Sequence, residues 1–221
     1  MSGIRYTQFC ALARAAEIIG ERWTLLIIRE LLLSPMRFGD LGARLDGISP
    51  ALLTARLNAL IESGVVQRAT LPAPYNAQVY ELTETGRAIQ PAIRELIRWG
   101  GRFLFPMREG DTFEPDWVLL ALDAIARRTP TPVCRIGLRI PHPDGSAGFV
   151  IEGGPEGTRI AKGELEGGAT IEARFDVLLQ ILTKQLPLKA AIANRQVKTE
   201  GSVRTLRMLP DLFDLATAID K

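Results

Sequence analysis

Two cysteines and one histidine are the whole supply of thiol and imidazole ligands in 221 residues. Cys10 and Cys134 lie too far apart in sequence to make a metal-type pair, and His142 falls in Pro141-His142-Pro143-Asp144-Gly145, a turn signature. Zinc chemistry and a histidine-assisted nucleophile are therefore not expected, which leaves only carboxylate-based catalysis open. No residue pattern points to it, so the expectation is a protein that is not an enzyme and carries no catalytic residues, cofactor or metal. A disulfide framework is not expected either. Long apolar runs are also missing: none reaches the roughly 18 residues of a membrane helix. Met1-Ser2-Gly3-Ile4-Arg5 leads on to Arg14 and Glu17 without the apolar run of a secretory signal. A cytoplasmic location with no membrane partner is expected.

Residues 1–110 have no lysine, only 13 arginines against 10 acidic residues, whereas residues 111–221 hold 14 basic and 15 acidic residues. The formal net charge of +2 is too small to mark a nucleic-acid binder by itself. Arginine forks suit phosphates and guanine edges, although a GC-rich genome would give the same bias. What the chain does have is core-forming material: 47% of its residues are hydrophobic and 24% charged, the balance of a globular protein of one large or two small domains.

In the first half, Cys10, Leu12, Ala13, Ala16 and Ile19 follow helical spacing up to Gly20. A second helix, apolar on several faces, is predicted from about Trp23 to Leu33 and stopped by Ser34-Pro35. A short helix from Phe38 to Leu45 precedes the turn Asp46-Gly47-Ile48. Ser49 then caps a helix from Pro50 to about Ser63. Leu53, Leu57, Leu60 and Ile61 form its apolar stripe, while Ala51, Thr54, Ala55, Asn58 and Glu62 occupy the other face. Small and hydrogen-bonding residues on leading turns allow a helix to approach base edges in the major groove. An ordinary amphipathic surface helix shows the same pattern. Strands at Val65–Arg68 and Val79–Leu82, joined by a proline-containing loop, then make the order helix, turn, helix, hairpin, which is that of a winged helix. A long helix from the Thr83 cap to Trp99 carries more apolar surface than so small a domain needs, suggesting a dimer contact.

These residues resemble the HxlR-type regulators, a bacterial branch of the winged-helix class. The resemblance lies in Cys10, Ile18-Ile19-Gly20-Glu21-Arg22-Trp23-Thr24-Leu25-Leu26-Ile27-Ile28-Arg29-Glu30-Leu31, Arg37-Phe38-Gly39-Asp40-Leu41, Gly47-Ile48-Ser49-Pro50, Leu53-Thr54-Ala55-Arg56-Leu57 and Tyr80-Glu81-Leu82-Thr83-Glu84-Thr85-Gly86. It covers about residues 8–100. It implies a homodimer on double-stranded DNA, with Ser49, Pro50, Ala51, Thr54, Arg56 and Asn58 at or near the duplex. Arg56 lies beside the core stripe, so a salt bridge to a neighbour such as Glu30 or Asp40 is an equal alternative to a phosphate contact. Arg37 and Arg68 are candidate phosphate clamps. The wing loop, Leu71 to Gln78, has no positive charge, which removes phosphate contacts that wings often make; Tyr75 could still pack on sugar. Cys10 stands where some family members carry a redox-sensing cysteine, with Arg14 one turn on as a source of positive charge; a small buried helix residue is the alternative.

In the second half, Arg108-Glu109-Gly110-Asp111-Thr112 is the predicted linker, dividing a domain over 1–110 from one over 111–221. A helix is predicted from Pro115 to Arg128. Strands follow at Cys134–Ile140, Phe149–Ile151, Thr158–Lys162 and Ala169–Ala173, joined by glycine-rich turns that lack phosphate-loop spacing. Helices capped by Asp176 and begun by Pro187, a strand at Val197–Glu200 and a closing helix from Arg204 to Ile219 complete an α+β domain with an antiparallel-rich sheet. Ala169-Thr170-Ile171-Glu172-Ala173, Leu178-Leu179-Gln180-Ile181-Leu182-Thr183, the run from Leu188 to Gly201 and Leu209-Pro210-Asp211-Leu212-Phe213 look like a sterol-carrier-protein-type domain. Such domains hold apolar ligands between a sheet and helices. That implies Phe175, Leu178, Leu182, Val197, Leu206 and Phe213 as pocket residues, the alternative being plain core packing. Gln196 stands where small turn residues are usual.

Three functions fit. The first is a dimeric DNA-binding transcription regulator answering to a small apolar ligand. The second is a lipid or acyl-ligand carrier whose first half only dimerises. The third is a DNA-binding protein with a purely structural rear domain.

Overall fold

The computed structural model describes residues 5–104, 106, 108–143 and 145–214. The chain forms two compact units, Met1–Ile93 and Arg94–Lys221. The division falls inside a helix rather than at the predicted linker. Arg94 and Arg98 of that helix bond to the Asp123 carboxylate and the Ala124 carbonyl, which draws its second half into the C-terminal unit.

The first unit opens with helices α1 (Ala11–Ile19), α2 (Thr24–Leu33), α3 (Phe38–Arg44) and α4 (Pro50–Glu62). A two-stranded antiparallel hairpin follows, β1 (Val66–Thr70) with β2 (Gln78–Leu82), Arg68 standing opposite Tyr80. Met36 adds a bridge on the other side of Tyr80, tying the start of α3 to the hairpin. Ile27, Ile28, Leu31, Leu41, Leu53, Leu57, Leu60 and Leu82 are almost wholly buried. The long helix predicted from Thr83 is two helices, α5 (Glu84–Arg87) and α6 (Gln90–Gly100). Pro91 has no N–H to give to the carbonyl one turn earlier, so the ladder breaks just before it.

The C-terminal unit pairs a five-stranded sheet with helices on one face. Its strands are β3 (Cys134–His142), β4 (Gly145–Gly154), β5 (Gly157–Lys162), β6 (Ala169–Ala173) and β7 (Val197–Glu200), in the order β5-β4-β3-β6-β7. Only β3 and β6 run parallel. The helices are α7 (Trp117–Ile125), α8 (Phe175–Leu182), α9 (Leu188–Ala193) and α10 (Val203–Leu206). Ile136, Leu138 and Ile140 alternate into the core beside Leu122, Leu178 and Phe149. Arg135–Glu152, Arg139–Glu164 and Lys198–Glu172 ion pairs lie on the open face.

β4 is far longer than the Phe149–Ile151 expected, because its glycines hide the alternation. One of them is required by packing: a Cβ on Gly153 would stand 2.3 Å from the Pro132 carbonyl oxygen, which is backbone and cannot swing away. Helix α7 is shorter than predicted at both ends. Helix α8 starts at Phe175 with Arg174 as its N-cap, so Asp176 lies inside the first turn, paired with Arg174. In place of the closing helix there are α10 and a 3₁₀ turn, Leu209–Leu212, where Pro210 sits in the first turn. Residues 215–219 of that prediction lie outside the described residues.

Candidate nucleic-acid interface

Three contacts fix helix α4 in place. Its N-cap is the Ser49 hydroxyl, which accepts from the Leu52 N–H at 3.3 Å with Pro50 in the first turn. Its apolar side inserts Leu53, Leu57 and Leu60 into the core. Its third anchor is Arg56. That guanidinium donates to the Glu21 carboxylate at 2.7 Å and to the Arg22 carbonyl at 3.3 Å, so Arg56 is committed to the turn between α1 and α2. The expected partners Glu30 and Asp40 are replaced by Glu21. Glu30 is fully buried and bonded to Arg29 instead.

The same turn supports the bend between α3 and α4. Trp23 caps α2 with a φ of 79°, and its ring lies where a Cβ on Gly47 would touch it. Gly47 itself has a φ of 86°, left-handed backbone that a side chain would strain. Gly20 to Trp23 therefore act as a seat for the helix that follows 30 residues later. Sequence reasoning identified this stretch as a family signature without finding its role; Glu21 and Trp23 are the residues it missed.

With the apolar side and Arg56 engaged, α4 exposes Ser49, Pro50, Ala51, Thr54 and Asn58, while Ala55 is half-buried. The Thr54 hydroxyl donates back to the Pro50 carbonyl at 2.9 Å while the residue stays exposed. Arg37, the N-cap of α3, is exposed. The exposed Arg68 guanidinium lies over the Tyr80 ring, 5.9 Å from its centroid. An open groove of about 580 Å³ between the second half of α4 and β1 is bordered by Asn58, Glu62, Gln67 and Arg68. Tyr75 is exposed in the hairpin loop. The sequence-predicted residues thus divide into an exposed set on α4, α3 and the hairpin, the half-buried Ala55, and Arg56, which holds the helix.

Thr83 locks the hairpin to α4. Its hydroxyl donates to the Gly64 carbonyl at 2.6 Å and accepts from the Gly86 N–H at 3.0 Å. Gly86 then packs so closely that an added Cβ would stand 2.0 Å from the Val65 carbonyl oxygen.

Cys10 is exposed as the N-cap of α1, which removes the buried alternative. Arg14 is spent on Glu17, to which it donates at 2.8 Å. The Tyr6 N–H bond, outweighing desolvation and aided by Arg14, holds the Glu17 carboxyl below its ordinary range. The residues expected to line a pocket in the C-terminal unit are members of its core: Leu178, Leu182, Leu206, Val197 and Phe213 are buried, and Phe175 is half-buried against Phe113. Burial also pushes the Cys134 thiol up, the Gly153 N–H offsetting only part of it. Among the described residues no helix is long and apolar enough to cross a membrane.

A family model described as HxlR-like helix-turn-helix matches residues 18–108. The HTH-type transcriptional regulator Rv3095 of Mycobacterium tuberculosis is 42% identical over 100 residues, 45% of this chain and 62% of its own length. The chain thus spans under two thirds of that relative. The HTH-type transcriptional regulator YodB of Bacillus subtilis is 36% identical over 98 residues, 44% of this chain and 85% of YodB. A solved structure of its reduced form aligns at 32% identity over 46% of this chain and the whole of that one, with a TM-score of 0.39. On the match to the family model, and on its identity to relatives aligned over most of their length, this chain belongs to the HxlR-like helix-turn-helix family.

Proposed function

We propose that the protein is a homodimeric, sequence-specific DNA-binding transcription regulator whose α4 enters the major groove. The observation that carries this reading is the division of α4. Its leucines are buried and Arg56 is tied to Glu21, while Ser49, Ala51, Thr54 and Asn58 stand exposed and small enough for close approach to base edges. Arg37, Arg68 and Tyr75 contact phosphate and sugar, and Arg56 acts by positioning the helix.

Dimerisation proceeds through α6 and the turn after it. Leu96, Trp99 and Phe103 recur at helical spacing and are all exposed, as is Leu104. A monomer seldom leaves such a stripe uncovered. A twofold dimer sets two copies of α4 about 34 Å apart, one turn of duplex.

Response to a small apolar ligand belongs to the same proposal. The C-terminal unit has the layering of a sheet under helices in which sterol-carrier-type domains hold ligands. Because Leu178, Leu182, Leu206 and Phe213 pack that layer, a ligand must open it to enter.

The test is fluorescence anisotropy of the purified protein with duplexes tiled across its own upstream region, against scrambled DNA at near-physiological salt. Specific binding with a dimeric footprint is the expected result. Equal binding to scrambled duplexes across the tiled region and across genome-selected fragments would overturn the proposal.

A further inference from the structure

Arginine supplies every cationic side chain of the first unit, and several of these charges are met within the fold. Arg14 pairs with Glu17, Arg29 with Glu30 and Arg56 with Glu21. Arg22 is different. It is exposed, and among the described residues its guanidinium has no carboxylate partner. It lies instead over the ring of Trp23, 5.3 Å from the centroid. Stacking on an aromatic face holds a guanidinium in place while leaving its charge unmet and its in-plane N–H groups open. A phosphate fits such a planar fork, two oxygens at a time.

The backbone around Arg22 sets that fork beside the leading turn of α4. The Arg22 carbonyl accepts from Arg56 Nε at 3.3 Å, so the residue is tied to α4 itself. Trp23 turns back at a φ of 79°, and two carbons of its six-membered ring would lie 3.7 and 3.9 Å from a Cβ on Gly47. Ser49, the cap of α4, follows Gly47 by two residues, at most about 7 Å of chain. Arg22, Trp23 and the bend between α3 and α4 thus form one corner, at the end of α4 that carries Ser49, Pro50 and Ala51.

A helix that enters the major groove by its leading turn brings the DNA backbone against the groups flanking that turn. The tip of the wing cannot share this task through charge, because Leu71 to Gln78 contains no cationic residue.

We infer that Arg22 is a phosphate clamp, which binds the DNA backbone beside the leading turn of α4 and, through its own carbonyl and the Trp23 ring, fixes the register of that helix in the groove. The inference deepens the regulator reading above and rests on it. It adds to Arg37 and Arg68 a contact that helical and strand periodicity do not reveal, because Arg22 lies in a turn.

The test titrates the full-length wild type and Arg22→Gln with the specific duplex found by tiling and with scrambled duplex, over a range of salt. One phosphate contact is lost from each subunit of a dimer. Both duplexes are therefore expected to weaken by the same factor, roughly tenfold at near-physiological salt, and the log–log salt slope to fall by about 1.8, or about 0.9 for each contact. Arg22→Lys keeps the charge and is expected to restore the slope, but without the planar fork it recovers only part of the affinity. Urea unfolding of Arg22→Gln is expected to stay close to the wild type, since the side chain removed is exposed and has no ion pair. An unchanged slope in Arg22→Gln, with or without a loss of affinity, would overturn the inference. Weakening confined to the specific duplex would also overturn it, in favour of a base contact. A clearly lowered unfolding midpoint would count against it too, by making Arg22 a structural support of the turn. No specific binding by the wild type to any duplex would sink the regulator reading and this inference together.

Discussion

At the residue scale, Arg56 shows how a side chain can hold a helix in place, here α4 against the turn before α2. Its ion pair with Glu21 is half-shielded and reinforced by the Arg22 carbonyl. Arg56→Ala is expected to cost about 1–2 kcal/mol in urea unfolding, because a charge-assisted bond and a carbonyl bond are both lost. The same variant should weaken specific DNA binding, and the swap Glu21→Arg with Arg56→Glu should restore part of it. Gly86 makes a sharper case. A methyl there meets the Val65 carbonyl oxygen, which is backbone and cannot rotate away. Gly86→Ala is expected to destabilise by about 1–3 kcal/mol, measured by the same unfolding curves. Neither partner was legible in the sequence. Glu21 lies 35 residues before Arg56, and Val65 lies 21 before Gly86. Linear spacing reports which face of an element a residue occupies, not which distant backbone comes to rest against it.

At the scale of elements, local chemistry was readable wherever it is self-contained. Ser49 followed by Pro50, with leucines at 53, 57 and 60, dictates a capped helix with one buried side, and α4 has both. Replacing the cap, Ser49→Ala, is expected to cost about 1 kcal/mol, read as a lowered midpoint in urea. Elements whose form depends on neighbours were harder to see. β4 is a long strand despite its glycines because β3 pairs with it from Gly145 to Gly153. The break between α5 and α6 falls just before Pro91, whose effect on a helix is local and is written in the sequence.

Helix α7 is bound at Asp123, whose carboxylate accepts from Arg94 and from Arg128. Burial alone would raise its pKa, but the bonds from Arg128 and Arg94 outweigh that and hold it below the ordinary value. A carboxyl with a lowered folded-state pKa contributes stability above its unfolded pKa, near 4, and loses it as pH falls through the lower folded value. Thermal melts from about pH 6 downward should show the wild type losing stability below about pH 4. Asp123→Asn should be less stable at neutral pH and flatter across that acid window.

At the scale of the whole molecule, the exposed stripe of Leu96, Trp99 and Phe103 sets the expected assembly. Trp99→Asp is expected to shift the protein from dimer to monomer in sedimentation or light scattering, and to abolish specific DNA binding through loss of the second half-site. The C-terminal unit should stay folded, since Trp99 is exposed and its aromatic contact is with Phe103. The winged-helix half was legible because its signature residues form turns, caps and seats in a fixed order. The layering of the rear unit was legible from alternation giving way to helical spacing. Whether its apolar layer opens was not, since the same leucines and phenylalanines serve a filled core or a lined cavity.

The confinement of lysine to the C-terminal unit has a consequence for covalent control. The first lysine of the chain is Lys162, and three of the five are Lys184, Lys189 and Lys198. Acetylation erases the charge of lysine and has no such action on arginine. Lysine acetylation therefore has no substrate side chain in the helix-turn-helix unit, whose cations are all arginine. It acts on side chains such as the exposed Lys184, Lys189 and Lys198 of the C-terminal unit, so that a modifying enzyme would lower the charge of one unit and leave that of the other at full strength.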